Sequence, residues 1–510
     1  MKGPNVILML VDDLGYGDIS LLNENSKIRT PNIDSLAERG VTFTDGHSTS
    51  ALCTPSRYAL LTGRYNWRSR LKQSVLPGGS DPLIERGRMT MAHLFRRNGY
   101  FTAAVGKWHL GLEWKRHELT GKEWGMEETV RNAGAITNPV ARSFASDALD
   151  IDFEERIAFG PNQYGFDYFF GTAASLDQPP YCYIENDHVL DVPDHISGIP
   201  NLDRKTPSQN TLWQRGPASA DYDHRRVIPD MQKKVLDLIE QHSEEPFFIY
   251  YPTHAVHGPL LPPPDFDGRS GLNAYADMVL YTDHMVGEIT GKLKEKNIWD
   301  NTIFMFLSDN GCSGVADFSF LLGNGHNPSY HFRGKKADIW EGGHRVPAIF
   351  SWPGRFDKPI VYGETVSHAD WMRTFADLLG DKLPDNAGED SFSLMSVLDG
   401  EDRSVRKSIV FSSGDGSFSI RRGKWKLELC SGSGAGGLGN PEKDDGSYQL
   451  YDLTSDIGER NNCIAFHSDT AEKMKAELIE IIRSGRSTPG PEMENYPVER
   501  WPQLEKILKG

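Results

Sequence analysis

Continuous apolar runs separated by helix-like segments dominate the first four hundred residues. Residues 6–11, 246–251 and 302–307 are apolar at nearly every position, a pattern typical of strands buried on both faces. Residues 30–39, with Pro31 at the first helical position, and 272–296 have the length and punctuation of helices. Because such strands alternate with helices, we predict an α/β fold with a large, mostly parallel central sheet covered by helices on both faces.

The C-terminal part of the chain has a different pattern. Short strand-like runs joined by Gly-rich turns occupy residues 407–411, 418–422, 425–430 and 448–451. A helix is predicted after them over residues 470–483. We therefore predict a smaller C-terminal antiparallel sheet with a helix, and two domains, residues 1–400 and residues 401–510.

Composition and charge narrow the class of protein. The 510 residues are 38% hydrophobic and 25% charged, the balance of a globular chain. The net charge of −16 makes the chain a poor candidate for binding nucleic acid or an anionic membrane. No run of 18 apolar residues is present, so no membrane-spanning helix is expected. The first strand begins near residue 5, which indicates either a cytoplasmic protein or a mature form without its signal peptide.

Two of the buried strands are followed by acidic pairs, Asp12-Asp13 and Asp309-Asn310. The carboxyl ends of parallel strands form one edge of a sheet, where ligands bind. Three carboxylates gathered there need a cation, and all-oxygen donors suit Ca²⁺ more than Mg²⁺. The alternative is that each pair is only a strand-end turn, since Asp and Asn favour turns.

Cys53 lies at the predicted start of a helix, with Pro55 and Arg57 after it. A helix N-terminus lowers the pKa of a thiol and stabilises anions, and Arg57 lies one turn further on. The alternative is a buried cysteine with a surface arginine. The other four cysteines are interpreted as ordinary thiols or an incidental disulfide: Cys182, Cys312, Cys430 and Cys463.

A signature and six further motifs, all in the order of the family, resemble the type I sulfatases of the alkaline phosphatase superfamily. The signature is Cys-Thr-Pro-Ser-Arg at 53–57 with Leu-Thr-Gly-Arg at 61–64. The remaining motifs are Asp-Asp-Leu-Gly-Tyr-Gly-Asp at 12–18, Gly-Lys-Trp-His-Leu-Gly at 106–111, Ser-Leu-Asp at 175–177, His-Gly-Pro at 257–259, Ser-Asp-Asn-Gly at 308–311 and Arg-Gly-Lys-Lys at 333–336 before Glu-Gly-Gly at 341–343. Residues 448–461 resemble the C-terminal module of the family.

The resemblance implies that Cys53 is oxidised to formylglycine by a maturation enzyme before folding. One hydroxyl of the hydrated aldehyde then attacks the sulfur of a sulfate ester, and the second allows the bound sulfate to be expelled. A serine would stay sulfated, which is the chemical reason for the modified residue. The implied ligands of the divalent cation are Asp12, Asp13, the modified residue at Cys53, Asp309 and Asn310.

The resemblance also implies roles for the surrounding side chains. Arg57 would steady the attacking alkoxide, and Lys107 and Lys336 would neutralise the sulfate. His109 is the predicted base for release of the sulfate, and His257 is the predicted acid for the leaving alcohol, with Lys336 as its rival. Lys336 is preferred to the adjacent Lys335 because it keeps the family spacing to Glu341.

Further polar and aromatic residues are predicted to bind the substrate. A dense run of His, Arg and aromatic residues between positions 326 and 344 suits a sulfated carbohydrate, because polar groups bind hydroxyls and rings stack on a sugar face. The candidates are Ser175, Asp177, His326, His331, Arg333 and His344, with Tyr181, Asp338 and Trp340 beside them. Each of them could instead be scaffold.

Three functions therefore remain open at the level of sequence. The first is a formylglycine sulfatase that acts on a sulfated carbohydrate, with no nucleic-acid or membrane partner. The second is a phosphonate monoester or phosphodiester hydrolase of the same superfamily, against which Asn310 argues, because the phospho-enzymes tend to carry His there. The third is a non-catalytic binder of sulfated glycans. Relatives are commonly exported, so we expect a periplasmic or secreted protein, with a cytoplasmic one as the alternative.

Overall fold

A computed structural model of the chain describes residues 3–118, 147–197, 214–436 and 448–509. Its strands are β1 (Asn5–Val11), β2 (Gly40–Phe43), β3 (Gly46–His47), β4 (Phe101–Lys107), β5 (Tyr168–Thr172), β6 (Ile184–Glu185), β7 (His188–Val189), β8 (His195–Ser197), β9 (Gly216–Ala218), β10 (Phe247–Pro252), β11 (Thr302–Ser308), β12 (Ala348–Ser351), β13 (Ile360–Tyr362), β14 (Val366–Ser367), β15 (Ile409–Ser412), β16 (Phe418–Arg422), β17 (Trp425–Glu428) and β18 (Gln449–Asp452). Its α-helices are α1 (Pro31–Leu36), α2 (Cys53–Thr62), α3 (Met91–Arg97), α4 (Val227–Gln241), α5 (Ala274–Glu295), α6 (Phe318–Gly323), α7 (Glu341–His344), α8 (Trp371–Leu378), α9 (Met395–Leu398), α10 (Ser468–Arg483) and α11 (Pro502–Lys509).

A large sheet forms the centre of the molecule, with the strand order β13-β2-β12-β11-β1-β10-β4-β5-β6-β7. The central strands β11, β1, β10, β4 and β5 are all parallel, whereas β12 and the β6–β7 hairpin run antiparallel to their neighbours. Every residue of β1, β10 and β11 is buried. The predicted mostly parallel sheet is confirmed, because strands covered on both faces need apolar side chains in both directions.

Two apolar layers cover the faces of this sheet. Alternate residues of β1 divide between them, with Val6, Leu8 and Leu10 in one layer and Ile7 and Met9 in the other. The first layer includes α2, α3 and α8, and the second includes α4 and α5. Helices therefore lie on both faces, as the alternating pattern predicts.

The C-terminal strands β15, β16, β17 and β18 form a separate antiparallel sheet, against which α10 packs. Its apolar layer also takes in Tyr65 and Trp67, which follow α2 in the chain. The predicted small sheet with a helix is thus present, and the division of the chain at residue 400 stays a prediction. Among the described residues, no helix is both long and apolar enough to cross a membrane.

Candidate active site

The two acidic strand ends meet at one edge of the central sheet. Strands β1 and β11 pair in parallel with Val11 opposite Ser308, so the residues that follow them emerge side by side. The backbone N–H of Asp13 donates to Asp309 Oδ1 at 3.3 Å, and Asn310 Nδ2 donates to Asp13 Oδ1 at 2.7 Å. All four acidic and amide side chains are buried. The arrangement is more than two independent turns, because the pairs bind each other.

Cys53 is the first residue of α2 and faces the same edge. Its Sγ and carboxylate oxygens of Asp12 and Asp309 all lie within 4.8 Å of one another. The thiol is only 2% exposed. The expected lowering of its pKa is not found: burial raises the pKa of Cys53 more than the nearby Lys107 and Lys336 lower it.

Three cationic side chains neutralise the three carboxylates. Arg57 reaches Asp309 Oδ2 at 2.7 Å and Asp12 Oδ2 at 3.4 Å. Lys107, at the end of β4, donates to Asp12 Oδ2 at 2.5 Å. Lys336 Nζ lies 2.7 Å from Asp13 Oδ1. Each cation comes from a different segment of the chain, so the charge balance of the site exists only in the folded protein.

These contacts set the ionisation of Asp12. Burial alone would raise the pKa of its carboxyl, but Lys107, His257, Arg57 and Lys336 together hold that pKa well below its usual range. Asp12 is therefore a carboxylate at neutral pH. The site presents a fixed negative oxygen beside the cysteine.

The donor set fits a hard divalent cation. Asp12 Oδ1 and Asn310 Oδ1 are buried and have no hydrogen-bond partner among the described residues. The amide of Asn310 is oriented by its Nδ2, which donates to Asp13 and to the carbonyl of Gly311, so its oxygen faces the other way. Buried oxygens without a donor are costly, and an ion coordinated by carboxylate and amide oxygens would satisfy both.

Backbone strain concentrates at the same place. Asp13 and His109 both adopt left-handed backbone conformations, with φ of 62° and 55°. Residues other than glycine rarely adopt this region, and where they do the site is often functional. Gly311, directly after Asn310, lies so close to α7 that a Cβ would fall 1.9 Å from the carbonyl oxygen of Gly342. The turn after β11 therefore requires glycine.

Two histidines lie next to the charged group with defined proton positions. His109 Nε2 faces the carbonyl of Leu76 at 2.8 Å and must donate to it, which leaves Nδ1 unprotonated and without a partner among the described residues. Burial, Lys107 and Arg57 hold the pKa of His109 well below its usual value. His257 places Nε2 3.7 Å from Asp13 Oδ2, while its Nδ1 donates to the carbonyl of Gly258 at 2.6 Å.

A third histidine, His254, belongs to this group although the sequence analysis assigned it no role. It is 1% exposed, and its Nε2 lies 2.7 Å from Thr172 Oγ1. Burial and the charge of Lys107 lower its pKa to about 3. A histidine three residues before His257 has no distinguishing pattern, so only the packing reveals its position.

The predicted substrate-binding residues divide into two groups. Asp177 lies beside the charged group, with its Oδ1 3.9 Å from His257 Nδ1, and Ser175, two residues earlier, is buried as well. By contrast, Arg333 stacks its guanidinium 3.7 Å from the centre of the Trp340 ring and donates to the carbonyl of Glu459. His331 is exposed and its ring lies on that of Tyr330.

His326 and His344, which are predicted to bind the substrate, both contact buried protein partners. His326 lies 2.8 Å from Asp18 through Nε2 and accepts the N–H of Lys27 through Nδ1. His344 faces His47 through Nδ1 and the carbonyl of Ile339 through Nε2. Both rings are wholly buried with both nitrogens engaged, so neither offers a nitrogen to a sugar hydroxyl. All five cysteines are free thiols.

Comparisons with known proteins agree with this geometry. The family model described as Sulfatase matches residues 4–381. The chain is similar to the N-acetylgalactosamine-6-O-sulfatase of Bacteroides thetaiotaomicron, with 35% identity over 94% of this chain and 93% of that protein. It is also similar to arylsulfatase A of Homo sapiens, with 30% identity over 91% of this chain and 84% of that protein.

A solved structure gives the same result for the fold. A Bacteroides thetaiotaomicron sulfatase, reported in work on the metabolism of multiple glycosaminoglycans, superposes with a TM-score of 0.80 and 33% identity. The match covers 94% of this chain and 99% of that one. The similarity therefore extends through the central sheet and the C-terminal sheet alike.

Proposed function

Since the chain belongs to the sulfatase family, we propose that it hydrolyses sulfate monoesters of a carbohydrate with formylglycine at position 53 and a divalent cation, Ca²⁺ in preference to Mg²⁺. The observation that carries the proposal is the position of Cys53. Its Sγ lies within 4.8 Å of Asp12 and Asp309 at the start of α2, beside the buried cations Arg57 and Lys107 and the partly exposed Lys336.

A hydrated aldehyde at position 53 and a divalent cation would supply reactivity that unmodified side chains lack. The hydrated aldehyde would provide the nucleophilic oxygen and the second hydroxyl needed for release, and a cation held by Asp12, Asp13, Asp309 and Asn310 would withdraw charge from the sulfate. Among the described residues, Arg57, Lys107 and Lys336 are the cations that contact these carboxylates, and they can bind the sulfate oxygens as charge develops there.

His109 and His257 can accept and donate the protons that the proposed reaction transfers. His109 stays neutral because its pKa is lowered, and its Nδ1 is the unprotonated nitrogen, so it can accept a proton. His257 Nδ1 already donates to Gly258, so Nε2 carries a proton only in the imidazolium form, and in that form it can donate to a leaving alcohol. This Nε2 lies 3.7 Å from Asp13 Oδ2.

Burial of Cys53 bears on how the modification arises. A thiol that is 2% exposed at the base of a folded site cannot enter the active site of another enzyme. We therefore propose that a maturation enzyme acts on the segment from Cys53 to Arg57 before folding. Export of the mature protein remains a proposal, tested by fractionating the natural host and locating the chain.

Two measurements test the proposed function. Mass spectrometry of the peptide that contains Cys53 should show a loss of ~18 Da, since the aldehyde has oxygen in place of sulfur and two fewer hydrogens. Turnover of 4-nitrophenyl sulfate should exceed that of bis(4-nitrophenyl) phosphate, which separates a sulfatase from a phosphodiesterase. Cys53→Ala should remove turnover. An unmodified thiol in an inactive protein would indicate a glycan binder instead.

A further inference from the structure

Four buried polar atoms, three in residues 175–178 and one at Gln214, have no hydrogen-bond partner among the described residues. They are Ser175 Oγ, Asp177 Oδ1, Gln178 Oε1 and Gln214 Oε1. All four residues are at least nine-tenths buried. An unsatisfied buried polar group is destabilising by about 1–3 kcal/mol, so a cluster of them indicates a ligand that supplies the missing partners.

The cluster is continuous with the proposed sulfate site. Asp177 lies 3.9 Å from His257, whose other ring nitrogen is 3.7 Å from Asp13. Gln214 is held against the segment because its N–H donates to the carbonyl of Asp177 at 3.0 Å. The N–H of Gln178 donates to the carbonyl of Ser175 at the same distance. Asp177, Gln178 and Gln214, here called the wall, are thus joined through the backbone, and Asp177 connects them to His257.

The residues that precede Ser175 are hydrogen-bonded to the residues that follow β4. The N–H of Trp108 donates to the carbonyl of Thr172, and the N–H of His109 donates to that of Ala173. The segment that leads to Asp177 is thereby fixed to the end of β4, which carries Lys107. The backbone that precedes Ser175 therefore lies beside the backbone that follows Lys107.

The chemistry of the wall selects the ligand. The unpartnered atoms of the two glutamines are carbonyl oxygens, which only accept hydrogen bonds, and that of Asp177 is a carboxyl oxygen, which accepts them when ionised. Burial raises the pKa of Asp177, and the nearby His257 and Lys107 oppose that rise. The missing partners are therefore donors. The hydroxyl groups of a sugar ring supply several donors close together, whereas the ring of an aryl sulfate supplies none.

We propose that Asp177, Gln178 and Gln214 bind hydroxyl groups of the sugar ring that carries the sulfate, and so select sugar sulfates over aryl sulfates. The inference rests on the proposed function, because it needs a sulfate ester in the adjacent site. It adds two glutamines that the motif analysis did not identify and gives Asp177 a specific partner.

The test compares variants on two classes of substrate. Asp177→Asn and Gln214→Ala are made together with Gln232→Ala, a matched control. Gln232 is another buried glutamine with an unpartnered Oε1, but it lies on α4 with its amide nitrogen bound to Met285 and Glu288. The values of kcat/KM are measured on 4-nitrophenyl sulfate and on a panel of hexose and N-acetylhexosamine sulfates, with melting temperatures recorded for each variant.

The expected result is a selective loss. For the sugar sulfate that the unchanged protein hydrolyses fastest, Gln214→Ala should lower kcat/KM by about 10- to 100-fold, with less than about threefold change on the aryl sulfate. Asp177→Asn, which changes a side chain 3.9 Å from His257, should lower kcat/KM on both substrates, and more on the sugar sulfate than on the aryl sulfate. Gln232→Ala should change kcat/KM on neither substrate. In the unchanged protein, kcat/KM on monodeoxy analogues of that sugar should be lower than on the sugar itself by a similar factor. Asp177→Asn should hydrolyse one of these analogues and the sugar with the same kcat/KM.

Several outcomes would overturn the inference. Equal losses on both substrates would mean that the wall only supports the site, and unchanged turnover of the sugar would mean that it binds nothing. Aryl sulfate turnover without hydrolysis of any sugar sulfate would have the same meaning. If Asp177→Asn does not fold, Gln214→Ala carries the comparison. A converted, folded protein that hydrolyses no sulfate ester would instead refute the proposed function itself.

Discussion

Arg57 donates two hydrogen bonds to a single oxygen of Asp309, from Nη2 at 2.7 Å and from Nε at 3.1 Å. Its remaining terminal nitrogen donates to the carbonyl of Lys107 at 2.9 Å. Both side chains are wholly buried. The arginine thus joins the first turn of α2 to the ends of β11 and β4, and it holds Cys53 at the edge where the acidic residues lie.

Removing this contact should affect turnover and stability together. Arg57→Lys keeps a charge but cannot reproduce the planar geometry, so we expect kcat to fall by about 10²-fold or more and the protein to lose several kcal/mol. Arg68 and Asp390 form an equally buried pair away from the cysteine and provide the control. Asp390→Asn should lower the melting temperature while a folded sample keeps its kcat. Unchanged kcat in Arg57→Lys would contradict the assigned role.

The adjacent residues Lys335 and Lys336 should differ sharply. Lys336 Nζ lies 2.7 Å from Asp13, whereas Lys335 directs its ammonium towards the Phe318 ring, at 5.7 Å. Lys336→Met should reduce kcat on 4-nitrophenyl sulfate by about 10²–10³-fold, because a charge near the sulfate is lost. Lys335→Met should leave kcat within about threefold. The reverse order would show that the wrong lysine has been placed in the site.

Removal of the divalent ion should destabilise the protein as well as inactivate it. Without an ion, Asp12 Oδ1 and Asn310 Oδ1 stay unsatisfied. Dialysis against EDTA should lower the melting temperature, and calcium at about 100 times its Kd should restore roughly 2.7 kcal/mol of stability. Asp13→Asn should weaken this response, while Glu364→Gln on the surface should not. If calcium does not change the melting temperature of the unchanged protein, the metal site is refuted.

If Cys53 is not converted to formylglycine, its thiol should react slowly with alkylating reagents. It is 2% exposed, and burial raises its pKa, so little thiolate exists near pH 8 and reagents cannot reach it. In protein made without a maturation enzyme, iodoacetamide should label Cys53 at least about tenfold more slowly than the partly exposed Cys463. Both should react readily in denaturant. Rapid labelling of native Cys53 would mean that the site is open enough for modification after folding.

A second buried charge cluster predicts a pH effect on stability. Lys426 Nζ contacts Glu459 at 2.7 Å, Glu341 at 3.2 Å and Glu428 at 3.4 Å, so three carboxylates share one ammonium. Burial and Glu459 raise the pKa of Glu428 well above 4.5. The folded state then retains a proton that the unfolded chain releases above about pH 4.5, so this residue lowers stability as pH rises.

Glu428→Gln should therefore be stabilising at high pH. Its gain in melting temperature should be larger at pH 8 than at pH 5, on the order of 1 °C per kcal/mol for a chain of this length. The exposed Glu480→Gln on α10 serves as the control and should show no such difference. A gain that is equal at both pH values, or larger at pH 5, would contradict the assignment.

The local pattern of apolar residues and turns was sufficient to predict much of the fold. The apolar runs at β1, β10 and β11 predicted buried strands because a strand covered on both faces has no polar position to spare. Short strands and Gly-rich turns predicted the antiparallel sheet from β15 to β18 in the same way. The sequence after Cys53 predicted a helix that starts there, with Arg57 one turn further on, and α2 begins at Cys53.

The sequence did not predict which residues from distant parts of the chain come into contact. Nothing local specifies that Val11 lies opposite Ser308, yet that register brings Asp13 and Asn310 into contact. The polar run from His326 to His344 has the composition of a binding surface, but packing directs both histidines to buried protein partners.

The sequence by itself determined which elements form and which motifs carry charge, because those depend on neighbours within a few residues. Only the tertiary structure decided which side chains share a site. Gln214 lies 36 positions after Gln178, and the hydrogen bond to Asp177 that aligns it arises only when the chain closes upon itself. Desolvation, which decides whether a thiol or a histidine is charged, likewise depends on everything packed around it.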